Sequence, residues 1–383
     1  MLHNKNKHMF WDNMPINNTN NTNNKNEEIL KLTENKTYTS IPMKLPGKLT
    51  WYNIDLTNDS TMITEFLNNN YCEKDNNIRF IFSPELLNWL LSYDEKNKNL
   101  AIGVKYNDQI VGCIFGLVRK LNLKNKIING SETNLLCLSK NIRGLNIAPI
   151  MIQELTRRNN YFLNINQSIY TTDLVLPNII SSVNYIYRYI NIRKMIDNNF
   201  IKRCLEEELG FDTIKKYYHH HINKIKGKVL LINELNNNQI LQCCELLNKK
   251  ISEMNLGYFF DENLFKHTFL NSIVKCWVIL KKGKITDMIS CYFQDSKLKN
   301  NLVIKNCNLF YYFKGNNSLK VLTSLVIKFC IVNNIDRIKV LKIMDYNELE
   351  DFNFDEGITN INYYIYNWYS KKINYKNISY FVI

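Results

Sequence analysis

From Leu45 onward the apolar positions alternate between helical spacing and the two-residue period of strands. Residues 60–69 read as a helix, and residues 83–91 as a second, with Ser83 as its N-cap and Pro84 in its first turn. Leu100 to Tyr106 and Ile110 to Val118 read as paired strands around an Asn107-Asp108 turn, followed by a strand from Glu132 to Leu138. A loop at Ser139 to Asn146 leads into a helix from Ala148 to Arg158. Past residues 224–228 the order partly recurs. A helix spans Asn238 to Glu253, strands span Cys276 to Lys281 and Ile285 to Tyr292 around Lys282-Gly283, a strand spans Asn306 to Tyr312, and a helix spans Ser318 to Val332. This predicts an α/β chain of two similar halves, each with an antiparallel hairpin feeding a central strand and helix.

Length supports the division. At 383 residues and 45.5 kDa the chain exceeds the size at which a single core stops growing. We expect an N-terminal arm over residues 1–44, a first half over 45–225 and a second over 226–383. In the arm, residues 17–26 are almost all Asn and Thr and cannot bury enough apolar area to offset their ordering entropy, so they read as a mobile linker. The linker isolates His8-Met9-Phe10-Trp11-Asp12, whose adjacent aromatics predict docking on the body.

Composition narrows the classes. A hydrophobic share of 45% with 23 Tyr and 19 Phe argues against global disorder. The net charge of +14 suits nucleic acid, an anionic membrane surface or cofactor phosphates, but the basic residues are spread along the chain and clusters such as Lys224, Lys226 and Lys228 are short. A nucleic-acid partner would rest on charge alone, without a recognisable module, so none is expected. Ten cysteines without paired CxxC spacing read as free thiols of a reducing cytosol. No apolar leader is present, and apolar runs fall far short of the ~18 residues of a membrane span, so a soluble, cytoplasmic monomer is expected. His219, His220 and His221 fit a polar strand end better than a metal site, since no partner ligands stand nearby at helical spacing.

The segment Asn134-Leu135-Leu136-Cys137-Leu138, then Arg143-Gly144-Leu145-Asn146-Ile147-Ala148-Pro149, is a strand, a loop and a helix N-terminus. Orphan N–H groups and the helix dipole make such a terminus a phosphate site. GNAT-type acyltransferases hold the coenzyme A pyrophosphate with an Arg-Gly-x-x-x-Ala loop of this kind. Alone, the pattern fits an ordinary strand-to-helix turn better than a ligand site.

The surrounding residues carry a broader likeness. Phe10-Trp11-Asp12, Leu45-Pro46 with Trp51 and Asp55-Leu56, Asn70-Tyr71-Cys72-Glu73, Arg79-Phe80, and Ser83-Pro84-Glu85 occur in order ahead of the strand and loop. Behind them come Glu154, Thr156-Arg157-Arg158, Tyr170-Thr171, Val175-Leu176-Pro177, Tyr185 and Arg188. The second half supplies Thr286-Asp287 with Ser290 and Tyr292, Phe310-Tyr311, Met344, Gly357 and Tyr363-Tyr364-Ile365-Tyr366-Asn367-Trp368, with the chain ending at Ile383. In this set and spacing the sequence resembles the eukaryotic N-myristoyltransferases.

The resemblance implies two GNAT-like halves related by a pseudo-twofold axis. Myristoyl-CoA would be held mainly by the first half and a peptide with an N-terminal glycine mainly by the second. The acyl group would pass to the glycine amine by direct addition and elimination, without a metal. The backbone amides of Leu135 and Leu136 would form the oxyanion hole, the carboxylate of Ile383 would be the base, and Asn134 and Thr171 would lie near the amine. Met9, Phe10, Trp11, Leu135 to Leu138, Arg143, Gly144, Asn146, Ile147 and Ala148 would hold the cofactor. Tyr71, Phe80, Tyr170, Tyr185, Tyr187, Ser290 and Gly357 would line the peptide site.

Departures from the family pattern matter too. Gly144-Leu145-Asn146 stands where Ser-Lys-Arg is usual, which reduces cationic help to the pyrophosphate. Thr172-Asp173 follows Tyr170-Thr171 in place of small residues, and Tyr187 replaces a histidine. Ile358 and Lys74 stand where acidic groups are common, which weakens the expected preference for lysine downstream in the peptide. They leave room for a second reading, a catalytically weakened relative that binds acyl-CoA or myristoylated peptide.

Overall fold

The computed structural model describes residues 10–11, 14–16, 26–29, 39–71, 78–218 and 224–382, the Asp351 side chain excepted. Residues 17–25 of the predicted linker 17–26, His219 to His221, Lys74, Met9 and Ile383 lie outside the described residues, while Asn26 is tied to the body by bonds to the Leu123 carbonyl and from Trp368 Nε1.

After a short strand β1 (Glu27–Glu28), the first half runs β2 (Thr50–Asn53), α1 (Leu56–Asn70), β3 (Ile78–Phe80), α2 (Pro84–Leu91), β4 (Ala101–Tyr106), β5 (Gln109–Leu123), β6 (Lys126–Leu138), α3 (Ile147–Leu163), β7 (Ser168–Thr172) and β8 (Ser181–Tyr189). Three short helices follow, α4 (Ile192–Asp197), α5 (Arg203–Leu209) and α6 (Phe211–Tyr217). The second half repeats the order with β9 (Lys228–Leu231), α7 (Asn237–Ser252), β10 (Leu256–Phe259), α8 (Glu262–Phe269), β11 (Val274–Lys281) and β12 (Lys284–Phe293). It adds a hairpin of β13 (Ser296–Leu298) and β14 (Val303–Ile304), then continues with β15 (Asn306–Phe313), α9 (Leu319–Val332), β16 (Arg337–Leu341), β17 (Asp355–Tyr366) and β18 (Trp368–Tyr369).

Local chemistry explains most boundaries. Ser83 caps α2 by accepting from the Leu86 N–H, with Pro84 just inside the first turn. Asp55 caps α1 four residues earlier than the apolar pattern suggests, because its carboxylate accepts the Thr57 N–H. Helix α3 runs on past Arg158 until Asn164 turns left-handed. Both hairpin turns place their central pairs at positive φ, Asn107 and Asp108 at 47° and 60°, Lys282 and Gly283 at 51° and 76°.

The main sheet has 13 strands, in the order β2-β4-β5-β6-β7-β17-β8-β16-β15-β12-β11-β9, with β10 added to β5. Read from either end the order is the same architecture: β2 answers β9, β4 answers β11, β5 answers β12, β6 answers β15 and β7 answers β16. Both β6-β7 and β15-β16 are parallel, joined by α3 and α9. At the centre the halves exchange a strand, β17 lying against β7 and β8 against β16. One continuous apolar cluster runs through both halves, from Ile63 and Leu67 to Leu322 and Val326. The central strands were not predicted: in β17, Asn360 and Asn362 are of a type depleted in strands and interrupt the apolar pattern, and pairing between halves stabilises the strand.

Candidate active site

The cavity at the centre of the sheet begins with an irregularity in β6. Cys113 pairs with Cys137 and Phe115 with Asn134, so Leu135 and Leu136 together face Ile114 alone. Leu135 takes a φ of 49° to accommodate the extra residue. Such a bulge takes backbone groups out of the ladder. Leu135, Leu136 and Asn134 all line a cavity of about 1730 Å³.

Loop 139–146 brings a helix terminus to the same cavity. Arg143 donates from Nε to the Leu138 carbonyl at 3.1 Å and from Nη2 to the Asn70 carbonyl at 2.5 Å, tying the loop to the end of α1. Asn146 enters α3 in the left-handed conformation and makes no side-chain cap bond. The first-turn N–H groups of α3 are therefore uncapped by a side chain, and Asn146, Ala148 and Pro149 face the cavity.

The N-terminal aromatics close one side. Trp11 stacks on Tyr170 at 5.5 Å, and Tyr170 stacks in turn on Tyr364 at 5.1 Å. Phe10 meets Trp11 edge-on at 5.0 Å, and the Asn367 N–H donating to the Pro15 carbonyl at 2.8 Å fixes the arm to the body. Burial pushes the Tyr170 phenol far up, which keeps it neutral.

Opposite lies a wall of aromatic side chains, including Tyr71, Phe80, Tyr185 and Tyr187. The Lys339 ammonium sits 4.7 Å from the Tyr185 ring and 5.0 Å from that of Phe80, and the Arg337 guanidinium lies 5.0 Å from Tyr187. Gly357 comes so close to β8 that a Cβ would meet the Tyr185 carbonyl at 2.5 Å and the Tyr187 ring at 2.7 Å, so only glycine fits.

The C-terminal segment threads toward the bulge. Tyr363 donates to the Tyr380 carbonyl at 2.8 Å, and the Ser379 N–H donates to the Leu256 carbonyl at 2.7 Å. The hydroxyls of Tyr185 and Tyr292 both donate to the Val382 carbonyl, each at 3.4 Å. Val382 lines the cavity, one residue before Ile383.

Next to Asn134 sits a buried charged pair that sequence reasoning missed. Arg119 Nε donates to Glu132 at 2.8 Å with both side chains 6% exposed, and the other Glu132 oxygen accepts from Asn134 Nδ2 at 2.7 Å. Burial works against the Arg119 cation, but Glu132 more than offsets it and the guanidinium stays protonated. Neither residue stood out locally, since Arg119 is followed by Lys120 and Glu132 lies between Ser131 and Thr133.

Thus Phe10, Trp11, Asn134, Leu135, Leu136, Asn146, Ala148, Tyr71, Phe80, Tyr170, Thr171, Tyr185, Tyr187 and Gly357 share one cavity. Cys137, Leu138 and Ile147 back onto apolar clusters, while Arg143 and Gly144 lie in an exposed part of the loop. Ser290 is set apart: it is fully buried in β12 and its hydroxyl donates to the Tyr311 carbonyl at 2.7 Å. Among the described residues, no group of His, Cys, Asp or Glu is placed to hold a metal, and no helix is long and apolar enough to cross a membrane.

Comparison with known proteins gives this geometry a context. Residues 28–183 match the family description "Myristoyl-CoA:protein N-myristoyltransferase, N-terminal domain", and residues 207–379 match the C-terminal domain of the same family. The chain is 32% identical to the glycylpeptide N-tetradecanoyltransferase of Plasmodium falciparum, over 94% of this chain and 89% of that protein. It is 28% identical to that of Drosophila melanogaster, over 94% and 78%. Its fold is that of Saccharomyces cerevisiae N-myristoyltransferase solved with bound myristoyl-CoA, with a TM-score of 0.87 at 24% identity, covering 98% of this chain and 95% of that one. With both family domains matched in order, and a relative above 30% identity along nearly its whole length, the chain belongs to the N-myristoyltransferase family.

Proposed function

We propose that this protein is a glycylpeptide N-tetradecanoyltransferase, moving myristoyl from myristoyl-CoA to the amine of an N-terminal glycine. The observation that carries this reading is the convergence of three features on one cavity: the Leu135-Leu136 bulge, the side-chain-uncapped start of α3, and the segment ending beside Val382. The α3 terminus and Asn146 take the pyrophosphate, and Trp11 with Phe10 covers the cofactor. The bulge amides receive the thioester oxygen as it becomes an oxyanion, a contribution of roughly 3 kcal/mol. The amine attacks the thioester carbon, the C–S bond breaks, and coenzyme A leaves as thiol or thiolate.

The amine must first lose a proton. We assign the base to the carboxylate of residue 383. A free α-carboxyl near pKa ~3.5 matches an α-ammonium near ~8 poorly, but burial raises the former and lowers the latter, narrowing the gap. Asn134 and Thr171 orient the amine. The first half, residues 45–225, mainly serves the cofactor and the second, residues 226–383, mainly the peptide, with residues 1–44 as the closing arm. We place the activity in the cytoplasm, in a monomer acting on proteins or nascent chains that begin with glycine. No observation favours the weakened relative.

The test is mass spectrometry of glycine-starting peptides incubated with myristoyl-CoA, using the native chain and one extended past Ile383. N-terminal acylation by the native chain is expected. The extension moves the carboxylate away, so turnover should fall about 10²-fold or more while acyl-CoA binding survives. No acylation by the native chain would remove the reading, and near-native turnover in the extended chain would remove the base assignment alone.

A further inference from the structure

Glu132 is a buried anion that the proposed chemistry does not use. It sits on β6 two residues before Asn134 and three before the bulge, 4% exposed, and its carboxylate is fully engaged. One oxygen takes the Arg119 Nε–H at 2.8 Å; the other takes the Asn134 amide N–H at 2.7 Å. Arg119 comes from the neighbouring strand β5 and lies with its guanidinium 4.8 Å from the Tyr258 ring, so it is held from both sides. Tyr380, buried in the C-terminal segment, packs edge-on against Tyr258 at 6.0 Å and Tyr363 at 5.9 Å. Burial, with Glu132 adding, pushes the Tyr380 phenol far up, which places that hydroxyl in the electrostatic reach of the same carboxylate.

An asparagine amide has two chemically opposite ends, and an isolated one can turn over. A carboxylate accepts only, so Glu132 dictates that Nδ2 of Asn134 points away from the cavity and that Oδ1 is the end left for other partners. An amine entering the cavity needs an acceptor, and an amide turned the other way would repel it with N–H.

We infer that Glu132, fixed by Arg119, is a positioning residue that orients Asn134 as a hydrogen-bond acceptor for the incoming amine. The inference rests on the transferase reading above. Glu132 touches no substrate; it acts through Asn134, which lines the cavity.

A double-mutant cycle separates this role from simple stabilisation. Peptide acylation kcat, peptide KM, acyl-CoA Kd and Tm are measured for the native chain, Glu132→Gln, Asn134→Ala and the double variant. Glu132→Gln is expected to lower kcat at least tenfold with acyl-CoA Kd within twofold of native. In the Asn134→Ala background the same substitution should cost less than threefold, because the group it orients is gone. Equal losses in both backgrounds, or a kcat for Glu132→Gln within twofold of native, overturn the inference. If Glu132→Gln does not fold, Arg119→Gln/Glu132→Gln, which leaves no charge buried alone, carries the same comparison. An inactive native chain would count against the transferase reading instead, so the two failures are distinguishable.

Discussion

Each half of this molecule builds the same two backbone devices, and only the first leaves them open. In the first half the bulge at Leu135-Leu136 and the start of α3 face the cavity. In the second half β15 bulges at the corresponding place, where Phe310 and Tyr311 face Ser290 alone. There the Ser290 hydroxyl donates to the Tyr311 carbonyl and all three residues are fully buried. Ser290, expected from the sequence to line the peptide site, sits in this structure inside the filled bulge.

The helix termini differ in the same way. Residues 315–317, ahead of α9, point three N–H groups at one Asp287 oxygen, at 2.9, 3.0 and 2.9 Å. Glu348 accepts the Leu319 N–H at 2.8 Å, and Ser318 caps Val321. Concave arrays of this kind bind anions, and here the protein supplies its own. Asp287 corresponds to Gly112 counted from the hairpin turns and to Val111 counted from the bulges, and neither position carries a carboxylate. A duplicated backbone thus offers two anion sites, and the side chain at one strand position decides which is available to a ligand.

The largest test of this contrast empties the filled site. Asp287→Ala leaves three backbone donors and Asn317 Nδ2 without their acceptor. Gly315 is exposed and Asn316 half-buried, so water can take over their N–H groups, while the Asn317 N–H is buried and Asn317 Nδ2 keeps the Lys226 carbonyl. At about 1–3 kcal/mol for a stranded buried donor, we expect a loss of about 2 kcal/mol in denaturant unfolding with acyl-CoA affinity unchanged. A loss below about 1 kcal/mol would mean the carboxylate is incidental.

The converse fills the open site. Ala148→Glu puts a carboxylate in the first turn of α3, favourable for the helix dipole by a few tenths of a kcal/mol to about 1 kcal/mol. Yet it competes with the pyrophosphate. Acyl-CoA affinity should fall at least about tenfold, or ~1.4 kcal/mol, in a chain as stable as the native one. Unchanged affinity in calorimetric titration would detach the cofactor from the α3 terminus.

A smaller effect is expected from the arm. Removing residues 1–16 takes away Trp11 and its stack on Tyr170. An aromatic contact of about 1 kcal/mol predicts roughly fivefold weaker acyl-CoA binding with the fold intact. The same titration decides it, equal affinity in the two chains being the result that sinks the idea.

How much of this was legible depended on sequence distance. The hairpins at Asn107-Asp108 and Lys282-Gly283 were readable because turn and strands are contiguous. Strands β5 and β6 run on past the predicted stretches because Asn122, though polar, is buried by donating to the carbonyls of Ile251 and Met254 in the other half. The exchanged strands β8 and β17 were hidden for a similar reason, their pairing being between halves. At the site, the strand-loop-helix gave a phosphate terminus on local grounds, whereas the bulge came only through family resemblance. Arg119 and Glu132 lie 13 residues apart in sequence and are brought together only by the pairing of β5 with β6. Ser290 and Gly357 show the limit from the other side: both had family counterparts, but one fills a bulge and the other permits a close backbone approach.

The smallest expected effect tests the peptide side of the same division. If the second half selects the peptide, the charges on its wall set the preference, and that wall carries Lys339 and Arg337, 6% and 5% exposed, beside Tyr185 and Tyr187. Ile358, standing where an acidic residue is common in the family, is 92% exposed and offers a lysine side chain no partner charge. Losing one favourable pair at a partly solvated site is worth roughly 1 kcal/mol, or about fivefold. Paired glycine-starting peptides carrying Lys or Ala several residues downstream should therefore differ by less than about fivefold in kcat/KM, with the difference lying in KM because the contact is remote from the reacting atoms. A lysine preference of about tenfold or more would require an acidic contact other than position 358.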